Sequence, residues 1–371
     1  MNTMNNQAVF KILQTEDEQT ILTMLEALSP LDTAIVNGEG QTMLHLAVKR
    51  NQLEVAAWLL NMGSHPNQKD HTMLSPFIAA AAMGHAVLFQ LLLLYQPDLT
   101  EVNRFGGTAL LPSSEKGFLP VVQLALDAGV PVNHVNQLGW TALLEAVVLG
   151  NDGFLYQEIV EELVVKGADI TIQDFDGNTA VDYAKNQQMA NIYSILTEGV
   201  VETSFTEVKR WIRENDYYRA LKRLLAMEKS LEQFYYLGVV YERLHQYDTA
   251  QFYYKKGFQE DPQFAYYLAN VAKKQQHIEQ ALSYYDQGAK ESETPEFFIY
   301  HQSNVLREID RHQEAIKLMD SLLDNNPDRV DYMFHKANSL RRLGQYQAAI
   351  DVMSQANLLQ PANPLFFRDN R

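Results

Sequence analysis

QTMLHLAVKRNQLEVAAWLLNMG, residues 41–63, decides how the rest of the chain is read. Thr42 ahead of Met43-Leu44-His45 predicts a helix start, its hydroxyl satisfying one of the backbone donors that a first turn leaves open. Leu46, Ala47 and Val48 carry that helix, and Asn51 breaks it. Val55, Ala56, Leu59 and Leu60 fall at helical spacing and predict the buried stripe of a second helix. Gly63 permits the left-handed turn that ends it. A helix pair of this size cannot enclose its own apolar side, so it requires similar pairs stacked alongside.

Those pairs follow in phase. Thr42 recurs as Ser75, Thr108 and Thr141 in steps of 33 residues, and Asn51 recurs as Gly84, Gly117 and Gly150 on the same step. A turn residue opens each new unit at Asp70, Asn103, Asn136 and Asp174. The pattern resembles the ankyrin repeat, in period and in its T-P-L-H-x-A signature, over residues 8–198. Val9 to Leu28 read as a degenerate N-terminal cap (residues 1–36), and residues 37–198 as the repeats. Three departures stand out. Met73 replaces the hairpin glycine of the second unit, and Pro112 enters the first helix of the third, where it should distort that helix. Gly150 to Gly167 spans 17 residues where Gly117 to Gly129 spans 12, which places an insertion near Asn151-Asp152-Gly153.

From Phe205 the rhythm changes, beginning with a degenerate unit over 205–230. Small residues recur at Ala250, Ala281, Ala315 and Ala349, in steps of 31, 34 and 34. Twelve residues before each stands Gly238, Ala269, Ser303 or Ala337, and prolines close the units at Pro262, Pro295, Pro327 and Pro361. Helices that cross closely require such small residues. Gly344-Gln345-Tyr346 and the period make residues 199–371 resemble tetratricopeptide repeats, the 31-residue step predicting one shortened turn. The expected fold class is all-α: two helical-repeat solenoids in tandem, an ankyrin array with short hairpin loops followed by a tetratricopeptide superhelix.

The charge is uneven. Residues 1–200 hold 8 Lys and Arg against 22 Asp and Glu, and residues 201–371 hold 22 against 24. An acidic first half argues against nucleic acid and anionic membrane surfaces as partners. The absence of cysteine excludes disulfides, thiolate chemistry and cysteine-ligated zinc. The N-terminus has no basic stretch followed by an apolar run, and Val87–Tyr95 is too short to cross a membrane. A cytoplasmic protein is expected, or alternatively a secreted effector without a signal peptide.

The ankyrin resemblance implies binding on the hairpin tips and the inner face of the first helices. The residues there include Leu74, Met83, Phe105, Leu138, Trp140, Val148, Leu149 and Phe175, read as an exposed apolar patch for a protein partner. The tetratricopeptide resemblance implies a groove lined by Tyr266, Asn270, Lys273, Tyr300, His301, Asn304, Arg307, Phe334, His335, Asn338 and Arg341. Asparagine amides there can both donate to and accept from an extended peptide backbone, and the cations suit acidic segments or a terminal carboxylate. No catalytic constellation, phosphate-cradling loop or metal-ligand spacing occurs, so no enzyme, cofactor or metal is expected; His45 reads as a structural residue of the helix start. The function expected is a non-catalytic scaffold or adaptor for protein or peptide partners. Alternatives are a bacterial host-directed effector that sequesters a target, a co-chaperone-like peptide binder, and an enzyme with a pocket between the arrays.

Overall fold

A computed structural model describes residues 6–28, 31–361 and 363. Parts of the expected N-terminal cap, residues 1–5 and 29–30, lie outside the described residues. Among the described residues the chain is helical throughout, with one isolated bridge between Val36 and Thr42. Among the described residues no helix is long and apolar enough to cross a membrane. It divides into two compact units, Met1–Gly150 with Leu155–Gly199, and Asn151–Phe154 with Val200–Arg371.

The first unit is built from helix pairs: α1 (Asn6–Thr15) and α2 (Glu18–Ala27), α3 (Met43–Lys49) and α4 (Leu53–Asn61), α5 (Pro76–Ala82) and α6 (Ala86–Leu93). They continue as α7 (Leu110–Glu115) and α8 (Leu119–Ala128), α9 (Ala142–Val148) and α10 (Phe154–Val165), α11 (Ala180–Asn186) and α12 (Ala190–Glu198). First helices neighbour first helices (α3, α5, α7, α9, α11), and second helices do the same from α2 to α8.

Caps set where most first helices begin. Thr42, Ser75, Thr141 and Thr179 each accept the backbone N–H three residues on. His45 completes the first cap: Nδ1 accepts from the Thr42 backbone at 3.0 Å while Nε2 donates to the Leu74 carbonyl at 3.0 Å. Burial, only partly opposed by that carbonyl, lowers its pKa and keeps the ring neutral. The third unit departs as its proline predicts. Its helix starts one residue later, Pro112 occupies the first turn where no N–H is needed, and the Thr108 hydroxyl is buried without a partner. In the second unit Met73 takes φ +61°, the conformation glycine holds at Gly40, Gly106, Gly139 and Gly177. The hairpin geometry is thus kept at the cost of strain.

The insertion is distributed rather than confined to the turn. The connection between α9 and α10 runs over Leu149–Gly153 where the equivalent one is Lys116–Phe118, and α10 has 12 residues against 10 in α8. Gly150 is required by closeness rather than by the left-handed turn of Gly117, since an added Cβ would lie 2.1 Å from the Ala146 carbonyl oxygen.

The second unit contains α13 (Thr206–Arg213) and α14 (Tyr217–Leu225), α15 (Leu231–Arg243) and α16 (Tyr247–Phe258), α17 (Phe264–Lys274) and α18 (Ile278–Glu291). It ends with α19 (Pro295–Glu308) and α20 (His312–Asn325), then α21 (Val330–Arg342) and α22 (Tyr346–Leu359). Each helix packs on the next. The small residues lie where paired helices touch: Ala250, Ala281 and Ala315 are fully buried, and the Ser303 hydroxyl reaches the Ala315 carbonyl at 3.5 Å. The turn inside every pair uses a left-handed residue, Asn215, His245, Gln276, Asp310 and Gly344, although only the last is glycine. The 31-residue step does not shorten a turn. It is absorbed by the helices, α16 having 12 residues and α17 having 11 where later counterparts have 13 or 14.

Candidate functional site

In the ankyrin unit the hairpins form a rigid row. Each tip is closed by an Asn or Asp carboxamide or carboxylate oxygen that accepts backbone N–H groups two and four residues on, as at Asn136 for Leu138 and Trp140. Neighbouring tips are joined through the main chain, His71 N–H donating to Glu39 and Gln137 N–H to Phe105. On this row Phe175 is 47% exposed, and Leu74, Phe105 and Leu138 are half-buried, as is Met83 at the C-terminal end of α5. The Arg104 guanidinium lies 4.6 Å from the Phe105 ring centroid, an amphipathic pair at the tip.

The expected apolar patch is smaller than its residue types suggested. Trp140 is 7% exposed, and Val148 and Leu149 are 6% exposed each. These three belong to the packed interior: Asn136 Oδ1 accepts the Trp140 backbone N–H at 2.9 Å and fixes its place in the hairpin, and the other two finish α9 on its buried side. Removing Trp140 therefore probes stability before it probes binding.

Two charged residues that the motif search left unassigned meet here. Glu145, on α9, is 7% exposed; its Oε1 accepts Asn136 Nδ2 at 2.8 Å and its Oε2 is buried with no hydrogen-bond partner. Burial raises its carboxyl pKa well above the ordinary range, the charge of Glu115 adds to that, and the Asn136 bond opposes it. A signal was present in the sequence, because Glu145 stands where the earlier units have Leu46, Ala79 and Pro112.

In the second unit the residues expected to line a groove divide into a buried set and a more accessible polar set. Tyr266, Tyr300 and Phe334, expected to line the groove, are buried against the neighbouring repeat, as is His301, 3% exposed. Its ring sits 4.6 Å from Phe297, 5.0 Å from Tyr266 and 5.3 Å from Tyr300. Repeats stack aromatic on aromatic at this position, which gives the side chains to the core rather than to a ligand. Asn304 is also buried. Asn270, Lys273, Arg307, His335 and Asn338 are half-buried and Arg341 is exposed, so these form the accessible face.

Arg307 is the centre of that face. Its Nη2 donates to Asn304 Oδ1 and its Nη1 donates to His335 Nδ1 at 2.6 Å. An accepting Nδ1 fixes the His335 tautomer, so Nε2 carries the proton and donates to the Tyr300 hydroxyl at 3.1 Å. Arg307 Nε is buried with no acceptor. The cation is therefore oriented by neutral groups and met by no carboxylate among its hydrogen bonds. Lys273 differs: its ammonium is 3.1 Å from the Glu308 carboxylate, which already balances it. Beyond Arg307, His312 is kept towards its neutral form by burial and by the charges of Arg342 and Arg307, against the pull of Asp310. Among the described residues no group of three His, Asp or Glu side chains could hold a metal ion.

Comparison with known proteins agrees with both rhythms. Family models for ankyrin repeats match residues 24–80 and 77–174, and tetratricopeptide repeat models match residues 234–264 and 300–364. The chain is 35% identical over 167 residues to a putative ankyrin repeat protein, YahD, of Escherichia coli (strain K12), covering 45% of this chain and 83% of that protein. It is 32% identical over 145 residues to the rat ankyrin repeat and SAM domain-containing protein 6, covering 38% of this chain and 16% of that one. A solved ankyrin repeat domain from Acinetobacter baumannii AYE matches with TM-score 0.50 and 35% identity, over 53% of this chain and 98% of that domain. Another solved ankyrin repeat protein matches with TM-score 0.51 and 35% identity, over 53% of this chain and 99% of its own. The chain belongs to the ankyrin-repeat proteins, here fused to tetratricopeptide repeats. Both repeat types are generic protein-interaction modules.

Proposed function

We propose that this protein is a non-catalytic adaptor that holds one polypeptide on its ankyrin hairpins and inner helices and another in its tetratricopeptide groove. The observation that carries the reading is Arg307: a guanidinium held by Asn304 and His335 on the groove face, with a buried Nε that no acceptor meets. Pre-orienting a cation by neutral groups leaves its charge available to a carboxylate, and a bidentate carboxylate–guanidinium contact is among the stronger hydrogen-bonded pairs. Asn270 and Asn338 flank it at the same repeat position as Asn304, spaced to engage an extended backbone. The groove ligand is accordingly an acidic peptide segment. Two such surfaces on one chain raise the effective concentration of bound partners for each other.

The test is a peptide array of acidic, neutral and basic sequences probed with the full chain and with Arg307→Gln. Acidic peptides should bind, and the substitution should weaken them about tenfold, as the loss of one charge-assisted bond implies. Equal binding of acidic and neutral peptides, or no effect of Arg307→Gln, would contradict the reading.

A further inference from the structure

The second unit takes in four residues from the insertion of the fourth ankyrin repeat, Asn151–Phe154. The Phe154 ring stacks on Tyr235 of α15 with centroids 5.4 Å apart and meets Phe264 of α17 edge-on at 6.4 Å. Gly153 is buried, and a Cβ added to it would lie 2.5 Å from Gln263 Oε1 and 3.1 Å from the Tyr267 hydroxyl oxygen, so only bare main chain fits there. Asn151, also buried, fixes the bend by accepting the Gly153 N–H on Oδ1 at 3.0 Å. These neighbours stand at groove positions of the repeat: Tyr235 precedes Tyr266 by 31 residues, and Tyr267 precedes His301 by 34.

Repeat architecture does not demand this segment. The third repeat joins its two helices with Lys116–Phe118 alone and opens α8 with Leu119, where α10 opens with Phe154. Main chain held close between polar side chains, followed by one ring among rings, is the way a bound peptide sits in a groove. The same end of the unit lacks the groups that suit an acidic ligand. Val239 stands where later repeats have Asn270, Asn304 and Asn338, and Glu242 stands where they have Lys273, Arg307 and Arg341. Glu242 accepts from Tyr254 and pairs with Lys274, so its charge belongs to the repeat itself.

We propose that Asn151–Phe154 fills the α15 end of the peptide groove as a tethered occupant, so that an acidic peptide is confined to the face running from Asn270 on α17 to Arg341 on α21. This rests on the groove reading above. Being part of the chain, the segment has a high effective concentration at its seat and holds it against free peptide. Eight extended residues reach about 26 Å, close to the width of about 30 Å across three helices side by side.

The probes are Ac-(Glu-Ala)4-NH2 and the same peptide carrying Asn-Asp-Gly-Phe, the segment's own sequence, at one end or the other. Each is titrated calorimetrically into the full chain and into Gly153→Gln/Phe154→Ala, which has no room for its glutamine beside Gln263 and Tyr267 and has lost the ring. Val165→Ala, at the exposed end of α10, is the control, and circular dichroism checks each fold. In the wild type and the control the three peptides should bind alike. In the double variant one extended peptide should bind at least about tenfold more tightly than the short one. The same gain in the wild type, or no gain in the double variant, overturns the proposal. A second measurement leaves the segment intact: with 4-fluorophenylalanine at position 154, the fluorine resonance should move on Tyr235→Leu and stay fixed when Ac-(Glu-Ala)4-NH2 saturates the chain. Displacement of the resonance by that peptide, or indifference to Tyr235→Leu, overturns it equally. If no peptide binds any of the three proteins while the resonance still responds to Tyr235→Leu, it is the groove reading that has failed, and the seat of the segment stands.

Discussion

Gly238→Ala tests the close helix crossing on which the tetratricopeptide unit is built. A Cβ at this position on α15 would lie 2.1 Å from Tyr254 Cε1, 2.4 Å from Cζ and 2.6 Å from Cδ1. Non-bonded carbons rest at about 3.5 Å or more, so the ring would have to withdraw by more than about 1 Å. Tyr254 has little room to do so. It is fully buried, its hydroxyl donates to Glu242 Oε1 at 2.6 Å, and its ring lies 5.4 Å from Tyr267 and 6.3 Å from Phe264. Overpacking costs about 1–3 kcal/mol, and a weakened bond to a carboxylate about 1.5 kcal/mol more. Alanine offsets about 1 kcal/mol of this through its better helix propensity. The net expectation is a loss of about 2–3 kcal/mol, seen as a lower urea midpoint for the tetratricopeptide transition, with Trp211 fluorescence reporting on that unit. In the double variant Gly238→Ala/Tyr254→Leu the two losses should be strongly non-additive. A single variant as stable as the wild type, or more stable as propensity alone would make it, refutes the crossing geometry.

The other predictions concern the ankyrin unit. Because burial and then Glu115 raise the carboxyl pKa of Glu145, the folded state binds its proton more tightly than the unfolded chain. The wild type therefore loses stability as pH rises above about 4.5, by up to about 1.4 kcal/mol per pH unit, until the folded group ionises. Glu145→Gln should lack that decline in urea titrations between pH 4 and 8, and parallel profiles would contradict the assignment. Trp140→Ala should cost about 3–5 kcal/mol, read as a fall in melting temperature, because the ring is buried rather than displayed. Met73→Gly should stabilise the second hairpin by up to about 1 kcal/mol, since glycine holds φ +61° without the strain of a side chain. A lower melting temperature for that variant would show that Met73 contributes packing that outweighs the strain.

Most of the architecture was legible because it repeats. Thr42, Ser75 and Thr141 recur at a fixed step and each caps a helix, so one readable unit predicted the others. The left-handed turns of the second unit were harder to read. Asn215, His245, Gln276 and Asp310 adopt them with side chains that carry no glycine signal, and only Gly344 announced the position. Surface exposure was the weakest inference. A Trp at a hairpin and a Tyr in a groove look alike in sequence whether they face a ligand or the next repeat, and Trp140, Tyr266 and Tyr300 face inward. Conversely, the acid at position 145 was visible as a charge at a repeat position that is otherwise apolar or uncharged. Its meaning depended on Glu115, thirty residues away in the chain and adjacent only once α7 and α9 are side by side.

Hydrogen exchange of the full chain, with and without an acidic peptide taken from the array, tests the central claim most directly. Protection is predicted on the groove-facing helices α17, α19 and α21, strongest around Asn304, Arg307 and Asn338, and little change on α18, α20 and α22. Protection confined to the second helices, or none at saturating peptide, would contradict a groove that binds polypeptides.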